Sequence, residues 1–162
     1  MSAWILLLTA AFAGSDPCAA IKTKTDAFTG QPTRSYLAPG GWQLVEASGA
    51  FTLTWEVTSV EPIHRELPAQ TTLQVRLEDG AIVGLTSRDI ALPDVHLVGK
   101  ALFTTWRPTW DLRPEVAQQI AASKPAAMMV EAIGQKWTMV AGFAPAFQKL
   151  HEVVRCMVAP TP

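Results

Sequence analysis

The sequence predicts an α+β fold, with an antiparallel or mixed sheet of about six to eight strands and two helices packed on it. Three observations lead to this expectation. Apolar and polar residues alternate with period two in several segments, and glycine-containing turns separate these segments. Helical spacing of apolar residues is confined to about 112–123 and 145–157. Helices and strands do not alternate regularly, so the order does not fit a βαβ fold.

Length and composition predict one globular domain over residues 14–162. The chain has 162 residues, of which 49% are hydrophobic and 17% are charged, which is enough apolar material for a single core. Lys and Arg number 13 and Asp and Glu number 14, so the formal net charge is −1. This balance lacks the basic character of a nucleic-acid-binding surface, and we expect no nucleic acid partner.

The amino terminus predicts export. Trp4–Phe12 is an uncharged, mostly apolar run, and Ala11–Ala13 has the small-x-small pattern of a signal-peptide cleavage site. A membrane-spanning helix needs about 20 apolar residues, so this run is too short for one. We therefore interpret residues 1–13 as a cleaved secretory signal peptide; a buried first strand or helix is the alternative. The absence of Asn and the many Ala and Pro residues favour a bacterial protein, periplasmic or secreted.

Two cysteines, Cys18 and Cys156, follow the predicted cleavage site and lie near opposite ends of the mature chain. An even number of cysteines in an exported protein predicts a disulfide, and two cysteines allow one connectivity. The alternative is a pair of buried free thiols.

The first half of the chain predicts strands. Two short strands are expected near 33–37 and 42–46, joined by a Pro-Gly-Gly turn, and strict alternation over 51–58 predicts a third. Residues 73–78 and 81–86 flank Asp79 and Gly80. Asp-Gly between alternating segments is a strong hairpin signal because both positions tolerate positive φ.

The second half mixes strands with helices. Residues 90–99 suit either a loop or a short edge strand, and 101–106 predicts another strand. Asp111 and Pro114 mark the start of the first helix, which Lys124 and Pro125 end. A second hairpin is expected over 128–133 and 136–140, followed by the final helix, which begins at Pro145.

Four side chains form the candidate metal site: His64, Glu66, Asp94 and His96. Residues two apart on an extended segment share a face, so each His-carboxylate pair could offer two ligands to one ion. Two pairs together would suit Zn²⁺ or another divalent metal. Two ordinary polar loops are the alternative, because proline precedes each pair and nothing in the sequence joins the two loops.

A second candidate site is the segment from Trp106 to Trp110, which holds Arg107 between two tryptophans. Exposed indoles stack on sugars or anchor protein partners, and Arg adds cation–π and carboxylate contacts. The alternative is that both tryptophans are buried against the sheet.

Three hypotheses about function follow. The first is an exported non-catalytic protein that binds a protein partner or a cell-envelope component, without a cofactor. The second is a metal-assisted exported hydrolase that uses the His-carboxylate pairs, and the third is a subunit of a larger envelope assembly. The sequence contains no nucleophile elbow, P-loop, dinucleotide-binding or H-E-x-x-H motif.

Overall fold

Two antiparallel sheets and two helices are present in the computed structural model, which describes residues 16, 18–38, 41–140 and 145–159. The predicted signal peptide and part of the predicted Pro-Gly-Gly turn lie outside these residues. The elements are β1 (Lys22–Thr25), β2 (Pro32–Leu37), β3 (Trp42–Ala47), β4 (Ala50–Trp55), β5 (Val57–Ser59), β6 (Thr72–Leu77), β7 (Ile82–Ser87), β8 (Asp94–Val98), β9 (Ala101–Trp106), β10 (Thr109–Leu112), α1 (Pro114–Ala122), β11 (Pro125–Ala132), β12 (Gln135–Val140) and α2 (Pro145–Val158).

The larger sheet has nine strands in the order β1-β2-β3-β4-β10-β7-β6-β11-β12. This corrects the prediction of six to eight strands. β1 is exposed along its whole length and has no apolar alternation, so its residues carry no strand signal. β10 has only four residues, and the sequence pattern predicts the start of the first helix over its last two. Its residues Asp111 and Leu112 instead pair with β4, and the helix begins at Pro114 rather than near 112.

The predicted strand 51–58 is divided between the two sheets at Glu56. The β3–β4 ladder ends where Trp42 faces Trp55, and the amide of Glu56 donates to the carbonyl of Gly41 at 2.7 Å. The chain then enters a smaller sheet in the order β5-β9-β8. The segment 90–99, predicted as a loop or an edge strand, supplies β8 at the edge of this sheet.

One hydrophobic core joins both sheets and both helices. Alternate residues of the large sheet face it, as Leu73, Val75 and Leu77 do on β6. The two predicted helices are present, and their buried residues lie at the three- and four-residue spacing of one helix face. Those of α1 are Val116, Ala117 and Ile120, and those of α2 include Leu150, Val153, Val154 and Met157.

The predicted disulfide is confirmed. Cys18 and Cys156 are bonded with their Cα atoms 5.6 Å apart, so the segment before β1 is covalently linked to α2. A second contact links β2 to the same helix, α2. Arg34 on β2 forms an ion pair with Glu46 at 2.8 Å and also donates to the carbonyl oxygen of Met157. Among the described residues, no helix is long and apolar enough to cross a membrane.

Candidate functional site

The two tryptophans of the candidate binding segment 106–110 are buried. Trp106 donates its indole N–H to the carbonyl of Arg65 at 2.9 Å, and Trp110 donates to the carbonyl of Thr71 at 3.1 Å. Both indoles are fully enclosed, which matches the alternative of burial against the sheet. Neither ring is available to a ligand at the surface, so only Arg107 of the three predicted binding residues is exposed.

Arg107 connects the two candidate sites through salt bridges. Its Nε lies 2.9 Å from a carboxylate oxygen of Glu56, and its Nη1 lies 3.8 Å from a carboxylate oxygen of Asp94. Asp94 is therefore the neighbour of a guanidinium group as well as a candidate metal ligand. Because Arg107 and Asp94 are exposed and Glu56 is only half-buried, these ion pairs contribute little stability. They do hold the start of β8 beside the end of β9.

The two His-carboxylate pairs lie on neighbouring segments. Leu67 and Ala91 form an isolated antiparallel bridge, which places the segment that holds His64 beside the one that leads into β8. His96 stacks on Phe103 with 6.3 Å between ring centroids. In the described part of the chain, no three His, Cys, Asp or Glu side chains group as a metal site would require.

The free end of the β8–β9 hairpin is an exposed feature that the sequence pattern does not predict. Exposure increases along β9 towards the turn, and the two residues of β8 next to the turn are also exposed. On β9, Thr104, Thr105 and Trp106 are buried and Phe103 is half-buried, whereas Leu102 is 44% exposed. On β8, Leu97 is 65% exposed and Val98 is 57% exposed.

The free end of the hairpin is apolar on both faces. Leu97 pairs with Leu102 and Val98 pairs with Ala101, so these two pairs point to opposite faces. β5 pairs only with 104–106, so residues 97–102 form a two-stranded ribbon without a third strand. We call Leu97, Val98, Lys100, Ala101 and Leu102 the hairpin tip.

A tight turn shapes this tip. Gly99 has φ +63°, a value that L side chains rarely adopt, and the following Lys100 is not among the described residues with positive φ. Positive φ at the first central position alone is the pattern of a type II′ turn, which suits the twist of a hairpin. The sequence signal was weak because apolar residues follow one another at 97–98 and 101–102 instead of alternating.

Two groups with shifted pKa values lie outside the hairpin tip. The pKa of Asp26 is below its usual value because its carboxylate accepts hydrogen bonds from the backbone N–H of Thr29, the Thr29 hydroxyl and the N–H of Phe28. The hydrogen bond from Arg88 to Asp111, and then the charge of Asp111, raise the pKa of Arg88. Both groups are exposed, and their shifts describe local turn and strand contacts.

The chain is thus an α+β protein with two antiparallel sheets, one disulfide and an apolar hairpin that extends from the smaller sheet. Comparison with protein-family models, with curated protein sequences and with solved structures finds no match.

Proposed function

We propose that this chain is an exported, non-catalytic protein of the bacterial cell envelope that binds the surface of a lipid bilayer through the hairpin tip. The observation that supports the proposal is the exposure of Leu97, Val98 and Leu102 on both faces of one ribbon. A contiguous apolar surface that is exposed on the isolated protein indicates a site that a partner or a membrane covers.

A bilayer interface suits this shape better than a flat protein surface does. A flat partner covers one face of a ribbon and leaves the other in water, whereas lipid acyl chains surround an inserted tip on every side. Lys100 lies at the turn, between the apolar residues of the two strands. Its ammonium group would reach the headgroups, where anionic lipids attract cationic side chains.

The expected affinity is modest. Complete burial of a Leu or Val side chain contributes about 1.5–3 kcal/mol, and the three side chains are each about half exposed in the free protein. Together they contribute roughly 3 kcal/mol, and Lys100 adds about 1 kcal/mol on an anionic membrane. A total near 4 kcal/mol corresponds to half-binding at about 1 mM lipid, so the association is reversible.

Vesicle flotation tests the proposal. Vesicles of phosphatidylcholine with phosphatidylglycerol should bind the protein, and pure phosphatidylcholine vesicles should bind it more weakly. Leu97→Ser with Leu102→Ser should weaken binding about thirtyfold, because the two leucines supply about 2 kcal/mol of the apolar contact. All variants carry the same amino terminus, so the difference between them isolates the hairpin.

Phe28→Ser is the matched control. Phe28 is 99% exposed in the β1–β2 turn, and the strand registers place this turn at the opposite end of β4 from β5 and the hairpin. The Phe28→Ser variant should bind vesicles as tightly as the unchanged protein does. Equal losses in the hairpin and control variants would contradict the proposal, as would a protein that does not float with either vesicle. A dimer that Leu97→Ser dissociates would assign the tip to a second copy instead.

A further inference from the structure

The outer face of the large sheet carries a shallow cleft of about 280 Å³, on the side away from the core. It crosses β7, β6, β11 and β12. Met129 on β11 lies at its centre, paired with Gln74 on β6 and with Thr138 on β12. Cross-strand partners point to the same face, so these three side chains form the middle of the cleft.

One end of the cleft is apolar apart from a single cation. Arg76 pairs with Ile82 on one side and with Ala127 on the other, which places its neighbours' Cβ atoms about 5 Å away. Ile82 is 65% exposed and Ala127 is half-buried. Arg76 thus has an apolar neighbour on each adjacent strand, and Met129 lines the same cleft.

The charge of Arg76 is not compensated by any ion pair in the described ranges, and none of the described carboxylates lines the cleft. Lys136 lines the other end, but its cross-strand partner is Glu131. Ala127 and Glu131 are four residues apart on β11, about 13 Å along the strand. Arg76 is therefore the position in the cleft where an anionic group would gain the most binding free energy.

We infer that this cleft binds an amphipathic anion, with a carboxylate or phosphate group on Arg76 and an alkyl or aryl portion against Ile82, Ala127 and Met129. A guanidinium group presents paired N–H donors that match both acid groups. The flexible thioether of Met129 adapts to apolar ligands of different shape. The site does not depend on the hairpin tip and goes beyond the proposed membrane contact.

Methyl NMR of protein labelled at the methionine methyl groups tests this inference. Sodium octanoate and octyl phosphate, both below their micelle concentrations, should shift the Met129 resonance in a saturable way. The buried Met157 on α2 is the internal reference and should not move. Arg76→Gln should weaken octanoate binding about tenfold or more, because the charged hydrogen bonds are lost. Arg65→Gln, which removes an exposed arginine outside the cleft, is the matched control and should bind normally.

Two further probes test the apolar half and the charged half of the site separately. Inorganic phosphate alone should leave Met129 unshifted, and equal binding of phosphate and octyl phosphate would overturn the apolar half. If 1-octanol binds as tightly as octanoate, the proposed role of Arg76 is wrong. A Met129 resonance that none of the probes shifts would overturn the inference. Leu97→Ser with Leu102→Ser should retain octanoate binding, which separates this site from the proposed membrane contact.

Discussion

Trp137 on β12 donates its indole N–H to the carbonyl oxygen of Thr58 on β5 at 3.1 Å. This hydrogen bond joins the last strand of the nine-stranded sheet to the first strand of the three-stranded sheet. The ring of Trp137 also packs edge-on against Trp106 on β9, with 5.4 Å between centroids. The base of the hairpin is therefore fixed to the core from two directions, while its tip extends into solvent.

We expect Trp106→Ala and Trp110→Ala each to reduce the free energy of unfolding by about 3–5 kcal/mol, because each leaves a large cavity in the core. Urea denaturation measures this loss. The control is Leu37→Ala, whose side chain is 72% exposed and which should change stability by less than about 0.5 kcal/mol. Two tryptophan variants as stable as the control would contradict the burial.

Cys18→Ser and Cys156→Ser should each reduce stability by about 2–5 kcal/mol, since each removes the same crosslink. The double variant should lose no more than either single variant, because the bond is broken only once. A maleimide probe added to the denatured, unreduced protein should find no free thiol. Additive losses would show that the two cysteines act separately.

Ser87→Ala should leave stability unchanged or raise it by about 1 kcal/mol. The Ser87 hydroxyl is buried and has no hydrogen-bond partner in the described part of the structure. Its removal therefore eliminates the desolvation penalty of a buried polar group that makes no hydrogen bond. Ser59→Ala is the matched control. The Ser59 hydroxyl is also buried but accepts a hydrogen bond from the Glu61 amide, and its loss should reduce stability by about 1 kcal/mol. Equal losses in both variants would contradict this distinction.

The pKa of the Asp26 carboxyl in the folded protein should lie below its usual value of 3.8 when measured by NMR. Thr29→Val should raise the pKa of Asp26 towards that value, because it removes the hydroxyl donor and keeps the backbone donor. A group with a lowered folded pKa contributes stability above its unfolded pKa and loses it as the pH falls through the folded pKa. The β1–β2 turn should therefore loosen on acidification below about pH 4. An Asp26 pKa at or above 3.8 would contradict the hydrogen-bonded turn.

Export should remove the predicted signal peptide, so that the protein recovered from an exporting cell begins near Gly14. Intact-mass measurement of the folded protein checks this. A folded protein that retains Met1 would support the alternative that residues 4–12 belong to the domain.

Features that depend on neighbouring residues could be predicted from the sequence. Asp79 and Gly80 specify their hairpin through local backbone preferences, and the helix that begins at Pro145 follows from apolar spacing along one face. The disulfide follows from the cysteine count, because two cysteines allow one pairing.

The tertiary structure alone decided the non-local features. Alternation shows that one face of a strand is buried, but it does not show which strand lies beside it or what covers the face. The insertion of β10 between β4 and β7 and the change of sheet at Glu56 therefore could not be predicted. For the same reason the sequence does not distinguish the surroundings of Trp106 from those of Leu102, since both are apolar and lie four residues apart on β9. Partners distant in the sequence enclose the first, whereas the second extends past the last strand that could cover it, so the candidate binding surface became visible only in the folded chain.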